Sequence, residues 1–234
     1  MPMTESLPVM LIPGLNCTAR LYADQLPALW TFGPVKVADH RRGDSVEIIA
    51  RQILNEAPKK FALVGLSMGG YVALAIMRLA PERVVKLALL DTGARSDTPE
   101  QRERRTSQIA AAQAGQFDAT SDALWPILVH KNRLGDGALK QVVVDMAGAT
   151  GAEAFVNQQR AIMTRPDSRP GLSAIGCPTL VLVGDGDQLT PPHLSEEMAG
   201  LIANSRLVTI PDSGHLSTLE RPEAVTRALV EWMR

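Results

Sequence analysis

The chain has little of what marks several protein classes. It has two cysteines, Cys17 and Cys177, far apart and outside any CxxC spacing. Neither a disulfide framework nor a thiolate metal site is expected, and both thiols read as reduced residues of a core, as in a cytoplasmic protein. Neither sign of charge is in excess: 24 Lys and Arg stand against 25 Asp and Glu, a formal net charge of −1. That balance supplies no electrostatic reason to expect nucleic acid or an anionic membrane as partner. No apolar run reaches the ~18 residues that a membrane span needs. The opening stretch MPMTESLPVMLIPG lacks the basic region and long apolar core expected of a signal peptide. No two of the 4 histidines have a metal-ligand spacing such as HxxxH, so neither metal nor cofactor is expected. Internal repeats and low-complexity tracts are also missing.

What is present is an ordinary globular composition, 45% hydrophobic and 21% charged over 234 residues. Such a chain can bury a sizeable core, and one α/β domain over 1–234 is expected. Six short apolar runs read as strands: PVMLIP, PVKVAD, KFALVG, VVKLALLD, PTLVLVGD and SRLVTIPD. Helical patterns alternate with them. In DSVEIIARQILNEA, Asp44 or Ser45 is placed as N-cap, and Val46, Ile49 and Ile53 share one face. Near-continuous apolar strands alternating with helices predict a doubly wound, mostly parallel sheet of about six strands. Strand signals nearly vanish over 94–173, which reads instead as several short helices. An insertion of that length is too long for a plain loop and predicts a helical cap over the active edge.

Three turns at that edge carry chemistry. Gly65-Leu66-Ser67-Met68-Gly69 matches G-x-S-x-G, with a strand before it and a helix after it. Glycines there let a sharp corner pack closely and leave the Ser67 hydroxyl exposed as a nucleophile. A serine needs a base, and the base an orienting acid, in the chain order Ser, acid, His. The loop GDGDQLTPP offers Asp185 and Asp187, and Asp91 ends the fourth strand; Asp187 is the preferred acid of the three. His215, in PDSGHLSTLE, is the base. The other histidines compete poorly: His40 precedes Ser67, His130 lies in the cap, and His193 starts a surface helix after the acid loop. Two backbone donors for an oxyanion are expected: Met68 N–H at the helix start, and Leu15 N–H in the loop IPGLN, where Gly14 lets the chain turn inward.

Taken together, LIPGLN, GLSMGGYVAL, APERVVKLALLDT, CPTLVLVGDGDQLTPP and SGHLSTLERPEAV resemble the α/β-hydrolase superfamily, in particular its small, cap-bearing, esterase-like members. The resemblance covers nearly the whole chain. It implies Ser67 as nucleophile, Asp187 as acid and His215 as base. There are two departures. The first loop reads Pro13-Gly14 where the family commonly has His-Gly, so its side-chain hydrogen bonding must differ. The family's N-terminal antiparallel hairpin is also expected to be missing.

The function implied is hydrolysis of a small carboxylic ester through an acyl-enzyme, with a small-molecule substrate and no nucleic-acid or membrane partner; the oligomeric state is open. Alternatives on the same triad are a lactonase, thioesterase or perhydrolase, or a C–C bond hydrolase or lyase-type synthase. A third class is a non-catalytic ligand sensor on the same scaffold, against which an intact triad argues. Trp125, Ile127, Leu128, Phe155 and Met163 of the cap are expected to line a small, mostly apolar acyl pocket. A substrate with several carboxylates would need inward-facing arginines there. Arg102, Arg104, Arg105, Arg160 and Arg165 are the candidates, against the alternative of a solvated helix face.

Overall fold

The computed structural model describes residues 6–234. Six strands form one sheet: β1 (Val9–Ile12), β2 (Val35–Val37), β3 (Phe61–Leu66), β4 (Val84–Leu90), β5 (Thr179–Gly184) and β6 (Ser205–Ile210). Their order is β2-β1-β3-β4-β5-β6, and every neighbouring pair is parallel. The sequence reading allowed for a mixed sheet; among the described residues no antiparallel strand occurs. The strands β1, β3 and β5 are buried at every position, as a sheet covered on both faces requires. The edge strands β2 and β6 are partly exposed.

Side-chain alternation divides the core in two. Met10, Ile12, Leu63 and Leu89 point to one face, where α2 (Val46–Glu56) and α3 (Met68–Leu79) pack. Val9, Leu11, Val64 and Leu90 point to the other, toward α1 (Leu26–Leu29) and the C-terminal helix Pro222–Met233. Ser45 caps α2, its hydroxyl accepting from Ile48 N–H at 3.2 Å. The chain winds outward from β1 to β2 and then crosses back to β3. The carboxyl ends of β1 and β3 therefore flank the switch point, where a crevice opens in sheets of this kind.

Between β4 and β5 the chain is helical: α4 (Pro99–Gln113), α5 (Phe117–Asp122), α6 (Trp125–Leu128), α7 (Gly137–Thr150) and α8 (Ala152–Met163), with short 3₁₀ turns. The helical stretch TSDALWPILVHK is divided between α5 and α6. Pro126 explains the break, since its ring clashes with the carbonyl four residues back and it has no N–H to offer. Gly151, at φ +82°, ends α7 in the left-handed region that glycine favours. Beyond β5 lie α9 (Pro192–Leu201), α10 (Ser217–Glu220) and α11 (Pro222–Met233). No helix among the described residues is long and apolar enough to cross a membrane.

The closest backbone approach in the fold is at Gly69, where a Cβ would overlap the carbonyl of Ile12 at the end of β1. Gly148, on α7, has no atom within 4 Å of such a position. Gly69→Ala is expected to cost about 3 kcal/mol of stability or more by forcing β1 and α3 apart. Gly148→Ala should add up to about 1 kcal/mol through helix propensity alone. Urea denaturation measures both, and a Gly69→Ala midpoint equal to wild type contradicts the packing account.

Candidate active site

Ser67 occupies the corner between β3 and α3 with φ +54° and ψ −115°, a strained conformation for a residue with a side chain. Its surroundings hold it there. Ser67 N–H donates to Leu90 O at 2.9 Å, and Thr92 Oγ–H donates to Ser67 O at 2.8 Å. A Cβ on Gly65 would strike the Gly69 backbone, and one on Gly70 would strike Thr92. The hydroxyl thus faces outward at the carboxyl edge of the sheet.

His215 and Asp187 meet it there. His215 Nε2 lies 2.8 Å from Ser67 Oγ, and His215 Nδ1 lies 2.8 Å from Asp187 Oδ2. The carboxylate is fully engaged. Leu189 and Thr190 N–H donate to Oδ1 at 2.8 and 2.9 Å, and Thr190 Oγ–H donates to Oδ2 at 2.7 Å. Burial alone would raise the Asp187 carboxyl; the charge of His215 and these hydrogen bonds outweigh it and hold the group below its usual range. Burial would likewise depress the His215 imidazolium, but the adjoining Asp187 charge prevails and raises it.

The histidine loop is pinned from two directions, one of them by Glu220, which sequence reading did not single out. His215 N–H donates to Leu128 O at 3.0 Å. The buried carboxylate of Glu220 accepts from Gly214 N–H at 2.9 Å and Leu216 N–H at 3.3 Å, the two neighbours of His215, and from His130 N–H at 2.7 Å. Asp185 is turned to the Ser213 N–H at 3.2 Å. His193 lies at the start of α9 and lines the cavity described below.

Leu15 follows Gly14 in the loop after β1. Neither Leu15 N–H nor Met68 N–H donates to any described protein acceptor. The loop is braced through the carbonyl of Gly14, which shares a peptide plane with Leu15 N–H. Cys17 N–H donates to that carbonyl at 3.1 Å, and the buried His40 Nε2 lies 2.9 Å from it. Gln158 Nε2 is 3.1 Å from the same imidazole nitrogen, so the two contacts compete for it. An oxygen at 2.9 Å requires a proton between, so Nε2–H donating to Gly14 is the tautomer that fits. Burial keeps His40 neutral by lowering its pKa. Gln158 Oε1 meanwhile accepts from Asn16 N–H at 3.1 Å, tying α8 to the same loop. With Pro13 in place of the usual histidine, these side chains do the bracing.

Ser67 and His215 open on a cavity of about 510 Å³. Ile127 and Leu128 line it, as do Leu124, Val143 and Ile162. Three of the expected pocket residues do not. Trp125 is buried in the core cluster that includes Leu11 and Leu90, and donates its indole N–H to Leu134 O at 3.1 Å. Phe155 is buried within the inserted helices, its ring 5.4 Å from that of Phe117. Met163 follows Ile162 on α8, and successive helical positions point about 100° apart. The wall is mostly apolar, as expected, but Arg104, Arg105 and Arg165 reach it, whereas Arg102 and Arg160 are exposed away from it. Cys17 also lines the cavity, but burial pushes its thiol up to about 12, which removes it as a rival nucleophile.

Asp91 ends β4 with φ +43° and is completely buried. It accepts from Gly184 N–H at 2.9 Å and from the Ser217 hydroxyl, joining the ends of β4 and β5 to α10. Burial and the nearby Asp187 charge raise its carboxyl from 3.8 to about 8. Across that window the folded chain holds a proton that the unfolded chain has released, so Asp91 subtracts stability as pH rises. Asp91→Asn should flatten the fall in Tm between about pH 5 and about pH 8, as measured by calorimetry. A variant as steep as wild type contradicts this.

Known proteins share this fold. The model of the Alpha/beta hydrolase family matches residues 11–228. A Mycobacterium tuberculosis protein provisionally named non-heme bromoperoxidase BpoC is 30% identical over 185 residues, 77% of this chain and 70% of that protein. A thermophilic esterase from Thermogutta terrifontis, solved with malate bound, is 32% identical with a TM-score of 0.88 over 97% of this chain and 89% of its own. The enol-lactonase of Burkholderia xenovorans LB400 is 25% identical with a TM-score of 0.89 over 100% of this chain and 93% of its own. With a model matched over nearly its whole length, the chain belongs to the alpha/beta hydrolase family.

Proposed function

We propose that this chain is a serine hydrolase that cleaves small carboxylic esters through an acyl-enzyme. The observation that carries this reading is the unbroken chain of 2.8 Å contacts from Asp187 through His215 to Ser67, ending at the cavity. In this reading His215 Nε2 takes the Ser67 proton as Oγ attacks the ester carbonyl. The oxyanion sits between Leu15 N–H and Met68 N–H, and the α3 amino terminus adds its dipole. His215 gives the proton to the leaving alcohol. It then activates the water that releases the acid, and Asp187 stabilises the imidazolium formed in both halves. The helices over 94–173 act as the cap. A lactone fits the same steps, its alcohol staying attached to the acid, and relatives named as an esterase and an enol-lactonase support both forms.

Ser67→Ala should lower kcat by several orders of magnitude while leaving the fold intact, because the hydroxyl leaves no buried cavity. Hydrolysis of p-nitrophenyl butyrate measures this, and turnover that persists removes Ser67 from the role. The acid limb of kcat/KM should lie above the ordinary imidazole value of about 6.5, because the base form of His215 is required and Asp187 raises its pKa. In Asp187→Asn that limb should move down and the rate should fall about 10³-fold or more. A limb that does not move contradicts the assignment of Asp187.

His40 is a positioning residue in this account. His40→Ala should lower kcat about tenfold with little change in KM, because a loosened peptide at Gly14 spoils one oxyanion donor. His40→Gln, whose amide nitrogen reaches the place of Nε2 and can still donate to the carbonyl, should recover part of the loss. Equal effects of the two variants on kcat contradict the bracing role.

A further inference from the structure

The wall of the cavity formed by α4 has the wrong chemistry for a neutral substrate. Gln101, Arg104, Arg105 and Gln108 all line the cavity, at i, i+3, i+4 and i+7, so a single face of α4 points inward. Helices normally turn an apolar face inward; here the inward face is two guanidinium groups and two amides. Arg165 and Arg95 line the same cavity. No aspartate or glutamate is among the described residues that line the cavity. This stands out in a chain of net charge −1.

The arginines are organised unequally. Arg105 Nε and Arg165 Nη1 share the buried carboxylate of Asp97, at 2.8 and 2.7 Å, so two cations face one anion. Arg105 Nη1 also donates to Gln159 Oε1 at 2.7 Å. Gln159 Nε2 in turn donates to Gln108 Oε1 at 2.8 Å. Arg165 donates to Arg95 O at 3.0 Å and lies 4.1 Å from the centre of the Tyr71 ring. Both side chains are thus held rigid. Arg95 is matched by Glu197 at 2.8 Å. Arg104 lines the cavity, is exposed, and has no hydrogen bond or ion pair to any described residue, which leaves its guanidinium free to pair with an anion there.

We propose that this wall is an anion subsite, and that the substrate is an ester or lactone whose acid part carries a second, ionised carboxylate. The inference rests on the hydrolase reading above and names its substrate class. Arg104 receives the distal carboxylate while Ser67 attacks the ester carbonyl. Arg105 and Arg165, pre-set by Asp97, add the field that holds it. Only the substrate's near end reacts; the distal carboxylate is bound and unchanged.

The test compares half-esters with their neutral counterparts. Monomethyl succinate, glutarate and adipate are assayed by proton release against the corresponding dimethyl esters. The wild type should favour at least one half-ester by about tenfold or more in kcat/KM, chiefly through KM, and added salt should narrow that preference. Arg104→Gln should reduce the preference about tenfold, and Arg104→Lys should restore part of it. Arg104 is exposed, so neither variant threatens folding. A wild type that cleaves the dimethyl esters as well as the half-esters overturns this proposal and leaves the hydrolase reading standing. A preference that Arg104→Gln leaves unchanged overturns the assignment of the subsite. A wild type inert to every ester and unlabelled at Ser67 by a fluorophosphonate overturns the hydrolase reading, and this inference with it.

Discussion

The active edge depends on a contact that contains no side chain. Gly69 lies against the carbonyls of Ile12 and Pro13 so closely that a single methyl group would separate α3 from β1. That contact brings the first turn of α3 next to the loop after β1. With α3 held there, Ser67 turns outward at φ +54°. The strain at Ser67 persists because Gly65, Gly70, Leu90 and Thr92 close around the corner on every other side.

Around this corner the sheet supplies position and buried polar groups supply orientation. Asp187 and His215 come from loops that follow adjacent parallel strands, β5 and β6, so the fold brings them together across 28 residues of sequence. Orientation comes from groups with no part in bond-making. Glu220 fixes the peptides on both sides of His215, Asp91 ties two strand ends to α10, and His40 holds the Gly14 peptide. Each is a buried polar group with its bonds satisfied, an arrangement that rigidifies. Several reach into the inserted helices, through Leu128, His130 and Gln158. Ser67, His215, Asp187 and the inserted helices are therefore parts of one hydrogen-bonded unit.

Much of this was legible in the sequence, for identifiable reasons. Parallel strands buried on both faces spell near-continuous apolar runs, so all six appeared with boundaries close to those observed. The corner at Ser67 showed itself because backbone crowding demands glycines at fixed offsets, and the meeting of Asp187 and His215 with it because chain order follows sheet order. What stayed hidden was long-range polar pairing. The bond between Glu220 and the His130 peptide spans 90 residues and has no local signature. The cap was seen as helical, but its pocket was assigned by hydrophobicity alone. Hydrophobicity says that Trp125 and Phe155 are buried, not against what. The same reasoning undervalued α4, whose inward face is charged.

The central claim is that Ser67 carries the acyl group during turnover. Rapid acid quenching of the wild type during steady-state hydrolysis of p-nitrophenyl butyrate, followed by peptide mass mapping, tests it directly. The account predicts a butyryl adduct on the peptide containing Ser67, absent from Ser67→Ala. An adduct on another residue, or steady turnover with no adduct on any peptide under conditions of rate-limiting deacylation, would contradict it.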